Sequence, residues 1–250
     1  MTAAFDPASP SSTRTPPKRM RPWKIARINW LPGLIAKPIF GQPLAPTPDE
    51  WERIQQALNQ GDPAMDKVVD WMFENGPRHT KPLFDQALTA GIDSVPNAPD
   101  ALKEFFALVD RDPPWLDRSL LPLGAKSAQM SGPVGFFVLR DMALMGGYAY
   151  FNSMNQTLGA SGSLGKDTAL RLGETGKWLN DVIEEGALER FGVGFTTTIR
   201  VRMVHALVRR NLLKNRDWDL DTWGLPINQV DMTATYLAFG PVTLLGARLF

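Results

Sequence analysis

Nowhere in these 250 residues do apolar and polar side chains alternate convincingly at the two-residue period of a half-buried strand. What recurs instead is the three-to-four-residue period of amphipathic helices, in segments punctuated by proline and glycine. A parallel sheet would require strands interleaved with such helices. The pattern therefore directs the chain to an all-α fold, a globular helical bundle, and no internal repeat is evident.

The segments can be placed in order. Thr47–Asn59 opens with a Thr cap, a proline at the next position and acid in the first turn, three marks of a helix start. Pro63–Glu74 puts Met65, Val68, Val69, Met72 and Phe73 on one side and ends at Gly76-Pro77. His79 falls in a loop or at a new helix start, and Asp85–Ala90 reads as a short helix. Pro99–Asp110 is amphipathic through Leu102, Phe105, Phe106 and Val109. The stretch RDPPWLDRSLL opens as a turn. Gly132–Leu158 is a long apolar run, one helix or two with a break near Gly146-Gly147, followed by a flexible loop over Gly159–Gly165. Lys166–Glu185 is helical, Gly186–Phe195 connects, and Thr196–Asn211 is helical again. Pro226 then stands near the start of a helix carrying Asp231 and Thr235.

The domain boundary follows from composition. Residues 1–22 read as a disordered, Pro-rich and then basic tail. Lys18–Trp23 suits a solvated arm, with phospholipid or protein docking as the alternative. Residues 23–250 read as one helical domain, in which Trp30–Leu44, broken by Pro and Gly, is an irregular segment laid over the core. The apolar end LLGARLF has no polar cap, so the expectation is a domain that is incomplete at its C-terminus, or an end that packs inside.

Composition excludes several chemistries. The chain has no cysteine, so disulfides, thiolate nucleophiles and Cys-containing metal sites are out. With 2 histidines it cannot supply a three-histidine metal site. A net charge of +1, from 27 basic and 26 acidic residues, gives no pull toward nucleic acid. There is no signal-peptide core and no membrane-spanning stretch. The expectation is a cytoplasmic protein, with peripheral membrane contact left open.

Chemistry concentrates on Thr196–Asn211. Ile199, Arg202, His205 and Arg209 share one side of that helix. Guanidinium groups a turn away disfavour the charged imidazole. This suits a neutral ligand to a metal or haem iron, the arginines pairing carboxylates such as propionates. A buried histidine bonded to a backbone carbonyl, with arginines at the rim, fits the same spacing. A second cluster places Arg171 and Thr175 one turn apart with Glu174 beside the threonine; a surface arginine and a back-bonded threonine are the plain alternative.

Three motifs carry a resemblance: ALRLGETGKWL (Ala169–Leu179), RVRMVHALVRR (Arg200–Arg210) and WGLPINQVDMTATYLAF (Trp223–Phe239). In this order and spacing, from roughly Asp110 onward, the chain resembles the haem-b oxygenase family of bacterial latex-clearing proteins (rubber oxygenases) and the fungal endoplasmic-reticulum oxygenases of mycophenolic acid synthesis. The resemblance implies an all-helical fold enclosing one haem b, with His205 as the proximal iron ligand. Arg171 and Thr175 would stand beside the haem, and Arg202 would support a propionate or the ligand helix. Dioxygen would be the oxidant and an apolar, isoprenoid or lipid-like molecule the substrate.

The chain departs from the family on the distal side. Glu174 stands where the latex-clearing proteins have lysine. Their distal glutamate would fall near Tyr150–Gln156, where this chain has Asn152, Asn155 and Gln156 and no acid. Haem binding thus carries over, rubber as substrate does not, and Glu174 is the candidate acid–base group if it faces the iron, with an exposed helix glutamate as the plain alternative. The apolar run from Val134 to Met154, with Met142, Met145 and Met154, is the expected pocket wall. A non-enzymatic haem or gas-binding protein, a peroxidase-like haem protein and a helical scaffold with a degenerate site are the alternatives.

Overall fold

The computed structural model describes residues 15–20, 41, 46–150, 154–160, 168–214 and 218–249. All regular structure among them is helical. We label the helices α1 (Pro48–Ala57), α2 (Pro63–Glu74), α3 (Pro77–Ala90), α4 (Asp100–Val109), α5 (Leu121–Met130), α6 (Gly132–Phe137), α7 (Gly146–Tyr150), α8 (Asn155–Ala160), α9 (Thr168–Ile183), α10 (Val193–Lys214), α11 (Leu220–Trp223), α12 (Gln229–Leu237) and α13 (Thr243–Leu249). No helix among the described residues is long and apolar enough to cross a membrane.

Local chemistry explains the starts. Thr47 and Glu50 form a reciprocal capping box on α1, and Asp62 caps α2 by accepting from the Met65 N–H at 3.2 Å. Asn228, fully buried, caps α12 by accepting from the Asp231 N–H at 3.0 Å. The core joins α2, α3, α4 and one side of α10. Met65, Val68, Met72, Phe84, Leu88, Leu102, Phe105 and Phe106 pack there against Ile199, Met203 and Ala206. Phe105 and Phe106 meet edge to face, with ring centroids 5.2 Å apart.

Several segments differ from their sequence reading. The short helix expected at Asp85–Ala90 is the end of α3, which begins at Pro77 and holds His79 in its first turn. After RDPPWLDRSLL comes α5, whose pattern, with Pro122 and Gly124, is too weakly amphipathic to read from sequence. The Gly132 run does not break at Gly146-Gly147. It passes from α6 through a π-helical stretch, Val138–Met145, into α7. A second π stretch, Ala238–Val242, contains Pro241, which lacks an N–H and crowds the carbonyl one turn back, so a wider turn accommodates it. The two π stretches pack on each other. Gly246 of α13 makes this closeness feasible, since a Cβ there would lie 2.3 Å from Val138 Cγ1.

Part of the basic arm is also not solvated. The Lys18 and Arg19 N–H groups donate to the carbonyls of Asp221 (2.8 Å) and Thr222 (3.0 Å). The Arg19 guanidinium, 9% exposed, pairs with Asp231 at 3.0 Å. The remainder of the expected tail, the Trp30–Leu44 segment apart from Gly41, and the 161–165 part of the expected loop lie outside the described residues.

Ion pairs fix α10 against α2. Arg202 forks onto Asp62, with Nη2 to Oδ1 at 2.8 Å, and Arg209 Nη1 donates to Asp66 Oδ1 at 2.5 Å. Arg210 pairs with Asp70 one turn further along. Arg209, 4% exposed, also donates to the carbonyls of Pro226 (3.2 Å) and Ile227 (2.9 Å). Replacing Arg209 by Met would orphan all three acceptors, and we expect a loss of about 3–5 kcal/mol in urea unfolding.

The two acids titrate in opposite directions. Burial would raise the Asp62 carboxyl, but the Arg202 fork, the Met65 N–H and Arg209 outweigh it and hold the group below its ordinary value. Asp66 goes up, because burial exceeds what Arg209 returns. A depressed folded-state pKa gives stability that is present above the unfolded value and lost as pH falls through the folded one. Asp62→Asn should therefore lower stability at pH 7 and flatten the acid limb of a stability–pH profile; an unchanged limb would refute the assignment.

Candidate functional site

The site residues lie on two neighbouring helices that run antiparallel. Near one end of the pair, a Cβ on Gly194 would fall 2.7 Å from the Asp181 carbonyl, so α10 starts in close contact with the end of α9. Further along, Trp178 Nε1 donates to Thr198 Oγ1 at 3.0 Å, and Thr197 Oγ1 donates to Asp181 at 3.3 Å. Trp178 also meets Phe239 of the second π stretch edge to face at 5.5 Å. Val182, Trp178, Thr175 and Arg171 recur at helical spacing, so this stripe of α9 follows α10 toward His205.

His205 is half-buried, and neither ring nitrogen has a hydrogen-bond partner among the described residues. Burial is the main reason its pKa is lowered from 6.5 to about 4, with Arg209 and Arg171 adding repulsion and Asp62 opposing them. The arrangement presents a neutral imidazole with free lone-pair capacity at neutral pH. The backbone-bonded histidine weighed in the sequence does not occur in this structure.

Arg171 is close enough to act on both His205 and the half-buried Tyr148, whose phenol is pushed up by burial and eased back by Arg171. Among the described residues Arg171, Glu174 and Thr175 form no side-chain hydrogen bond or ion pair. Arg171 is half-buried, while Glu174 and Thr175 are exposed. Thr175 lies on the stripe that follows α10, and Glu174 lies at its edge, on the Asp181 side.

Arg202 and Arg209 share the His205 side of α10, as their spacing requires, but their donors are turned to Asp62, Asp66 and the carbonyls of Pro226 and Ile227. The PINQVD motif supplies those carbonyls. Ile227 sits at φ 51, a left-handed conformation that costs a β-branched residue strain. Asn228 holds the turn closed, its Nδ2 donating to the Leu225 carbonyl and to Asp231, both at 2.8 Å.

Of the groups expected on the distal side, Asn155 donates through Nδ2 to the Tyr148 carbonyl at 3.3 Å. Gln156 and Met154 are half-buried, and Asn152 lies outside the described residues. Met142 lies against Gly246, and Met145 is exposed. No group of three or more His, Asp or Glu able to hold a metal ion occurs among the described residues. Sequence reasoning missed Tyr148, Asp62 and Asp66. The two acids carry a faint signal, one turn apart at the head of an apolar helix, but nothing in sequence ties them to arginines 140 residues away.

Comparison with known proteins gives one finding of weight. Over 155 residues, 61% of this chain, it is 30% identical to a rubber oxygenase of Streptomyces sp. (strain K30). Those residues make up 36% of that protein, so the chain spans little more than a third of the curated relative it matches. No family model and no solved structure matches the chain. The similarity supports a relation to the latex-clearing proteins.

The state of the imidazole can be read directly. The C2–H resonance of His205 should titrate with a midpoint near pH 4 rather than near 6.5. Because the folded pKa is depressed, His205 contributes stability above the unfolded pKa and loses it as pH falls toward the folded one. A midpoint near 6.5 would show that the ring is not shielded as described.

Proposed function

We propose that this chain is a haem-b-dependent oxygenase acting on an apolar, isoprenoid or lipid-like substrate, in which His205 would hold the haem iron. The observation that carries the reading is the unpartnered, neutral imidazole of His205 beside a guanidinium that is itself without an anion among the described residues. Similarity to a rubber oxygenase supports the reaction class.

The donor set fits the group. One imidazole cannot hold a bare transition metal, but an iron carried in a macrocycle needs only an axial ligand from the protein. Arg171, without an anionic partner among the described residues, would pair a propionate carboxylate. Arg202 and Arg209 are committed to Asp62 and Asp66, so in this reading they hold the ligand helix in place rather than binding carboxylates themselves, and Arg209 also repels a proton from the ring. When bound, haem would supply dioxygen activation.

The remaining work falls to this chain. Burial, with added repulsion from Arg209 and Arg171, keeps the His205 ring neutral, so its lone pair is available across the physiological range. Thr175 offers a hydroxyl on the stripe leading to Arg171. Glu174, beside it and exposed, is the group able to hold or pass a proton at its carboxylate. Its position in place of the family's lysine sets this chain apart from the rubber enzymes, and rubber itself is not the substrate we propose.

The test is an absorption titration of the purified protein with haem, together with His205→Ala and Arg171→Ala. Wild type should take up one equivalent and show a Soret band typical of histidine ligation. His205→Ala should keep its helical circular dichroism and lose that band, and Arg171→Ala should bind roughly tenfold more weakly. Histidine-type ligation that survives in His205→Ala would overturn the reading. With haem loaded, consumption of dioxygen in the presence of an isoprenoid alkene, absent in Glu174→Gln, would support the assigned role of Glu174.

A further inference from the structure

Away from the His205 site, a cavity of about 390 Å³ opens between the start of α5 and the far end of α9, within the size range of small-molecule sites. Its walls are mainly apolar, with Leu121 and Ala125 on one side and Ile183 on the other. Trp115 stands in the lining and leaves 53% of its surface exposed. Along α9 the cavity is about 18 Å from Arg171, at 1.5 Å per residue, so the two sites do not overlap.

The polar groups around this cavity carry one sign. Asp117, Glu184 and Glu189 belong to the lining, and no lysine, arginine or histidine does. Asp117 is occupied by the Ser119 N–H and hydroxyl, at 2.9 and 2.6 Å, and Glu189 by Arg118 at 2.9 Å. Glu184 has no partner among the described residues. An unpaired carboxylate, an open indole face and an apolar trough match an apolar body carrying one positive charge, since a cation is attracted both to the carboxylate and to the ring face.

We infer that this cavity binds an amphipathic organic cation, an alkyl or aryl ammonium, with its chain between Leu121 and Ile183 and its charge at Glu184 and Trp115. The inference is independent of haem binding. An anionic amphiphile of equal length would meet the same apolar walls but face the unpaired Glu184 carboxylate and no cation of the lining, so charge, rather than chain length, decides occupancy.

Calorimetric titration of the full chain with decyltrimethylammonium, kept below its micellar concentration, tests this against decyl sulfate. One cation should bind per chain, at least about tenfold more tightly than the sulfate, which corresponds to about 1.4 kcal/mol. Ala125→Phe, which fills the trough, should abolish binding. Glu184→Gln, an isosteric change at an exposed position, should remove most of the preference for the cation. Equal affinity for the two amphiphiles, or cation binding in Ala125→Phe at wild-type strength, would overturn the inference. If Ala125→Phe fails to fold, judged by circular dichroism, Glu184→Gln decides alone: unchanged selectivity refutes the site.

Discussion

The Asp62–Arg202 and Asp66–Arg209 pairs set the position of α10 and of the His205 it carries. A buried guanidinium is tolerable only when its donors are satisfied. Arg209 reaches that state by taking an acid from α2 and two carbonyls from the turn before α12 at once. Three segments far apart in sequence are thereby clamped to a single side chain. The clamp also fixes the electrostatic setting of His205, because the cation that holds the helix is one of those that disfavour protonation of the ring. The same charge thus serves the packing of α10 and the neutrality of the imidazole.

That double role shows how the site is divided. On the α10 side the arginines have partners and the imidazole has none. On the α9 side the arginine has none among the described residues, and Thr175 and Glu174 are open. The cost of lacking a partner falls on the half-buried His205 and Arg171, since the exposed Thr175 and Glu174 are solvated. The PINQVD turn belongs to the same logic: the left-handed Ile227 is a local cost, sustained because its carbonyl is one of the acceptors Arg209 requires.

How far the sequence reached can be judged residue by residue. The all-α class followed from periodicity, because most helices here bury one stripe and expose the other. The nearness of Arg171 to His205 came through the motifs and their resemblance, since two helices joined by residues 184–192 give no pairing register by spacing alone. The acid partners of Arg202 and Arg209 were out of reach because ion pairing across 140 residues leaves no periodic trace. The π stretches were equally hidden: Val138–Met145 reads as ordinary helix, and its widened turn answers to Gly246 more than 100 residues later. Helix α5 was lost to Pro122 and Gly124, which read as turn residues but sit in the first turn of a real helix.

One consequence of how α9 and α10 are mounted concerns time rather than space. Helix α10 shares the aromatic core through Ile199, Met203 and Ala206, whereas much of α9, from Leu172 to Lys177, is exposed. Amide protons on α10 should therefore exchange only through openings that approach global unfolding, while those on the first half of α9 exchange through local ones. The two walls of the seam keep different clocks. Any group that touched both would slow exchange on α9 by suppressing its local openings, and on α10 only by raising the free energy of global unfolding.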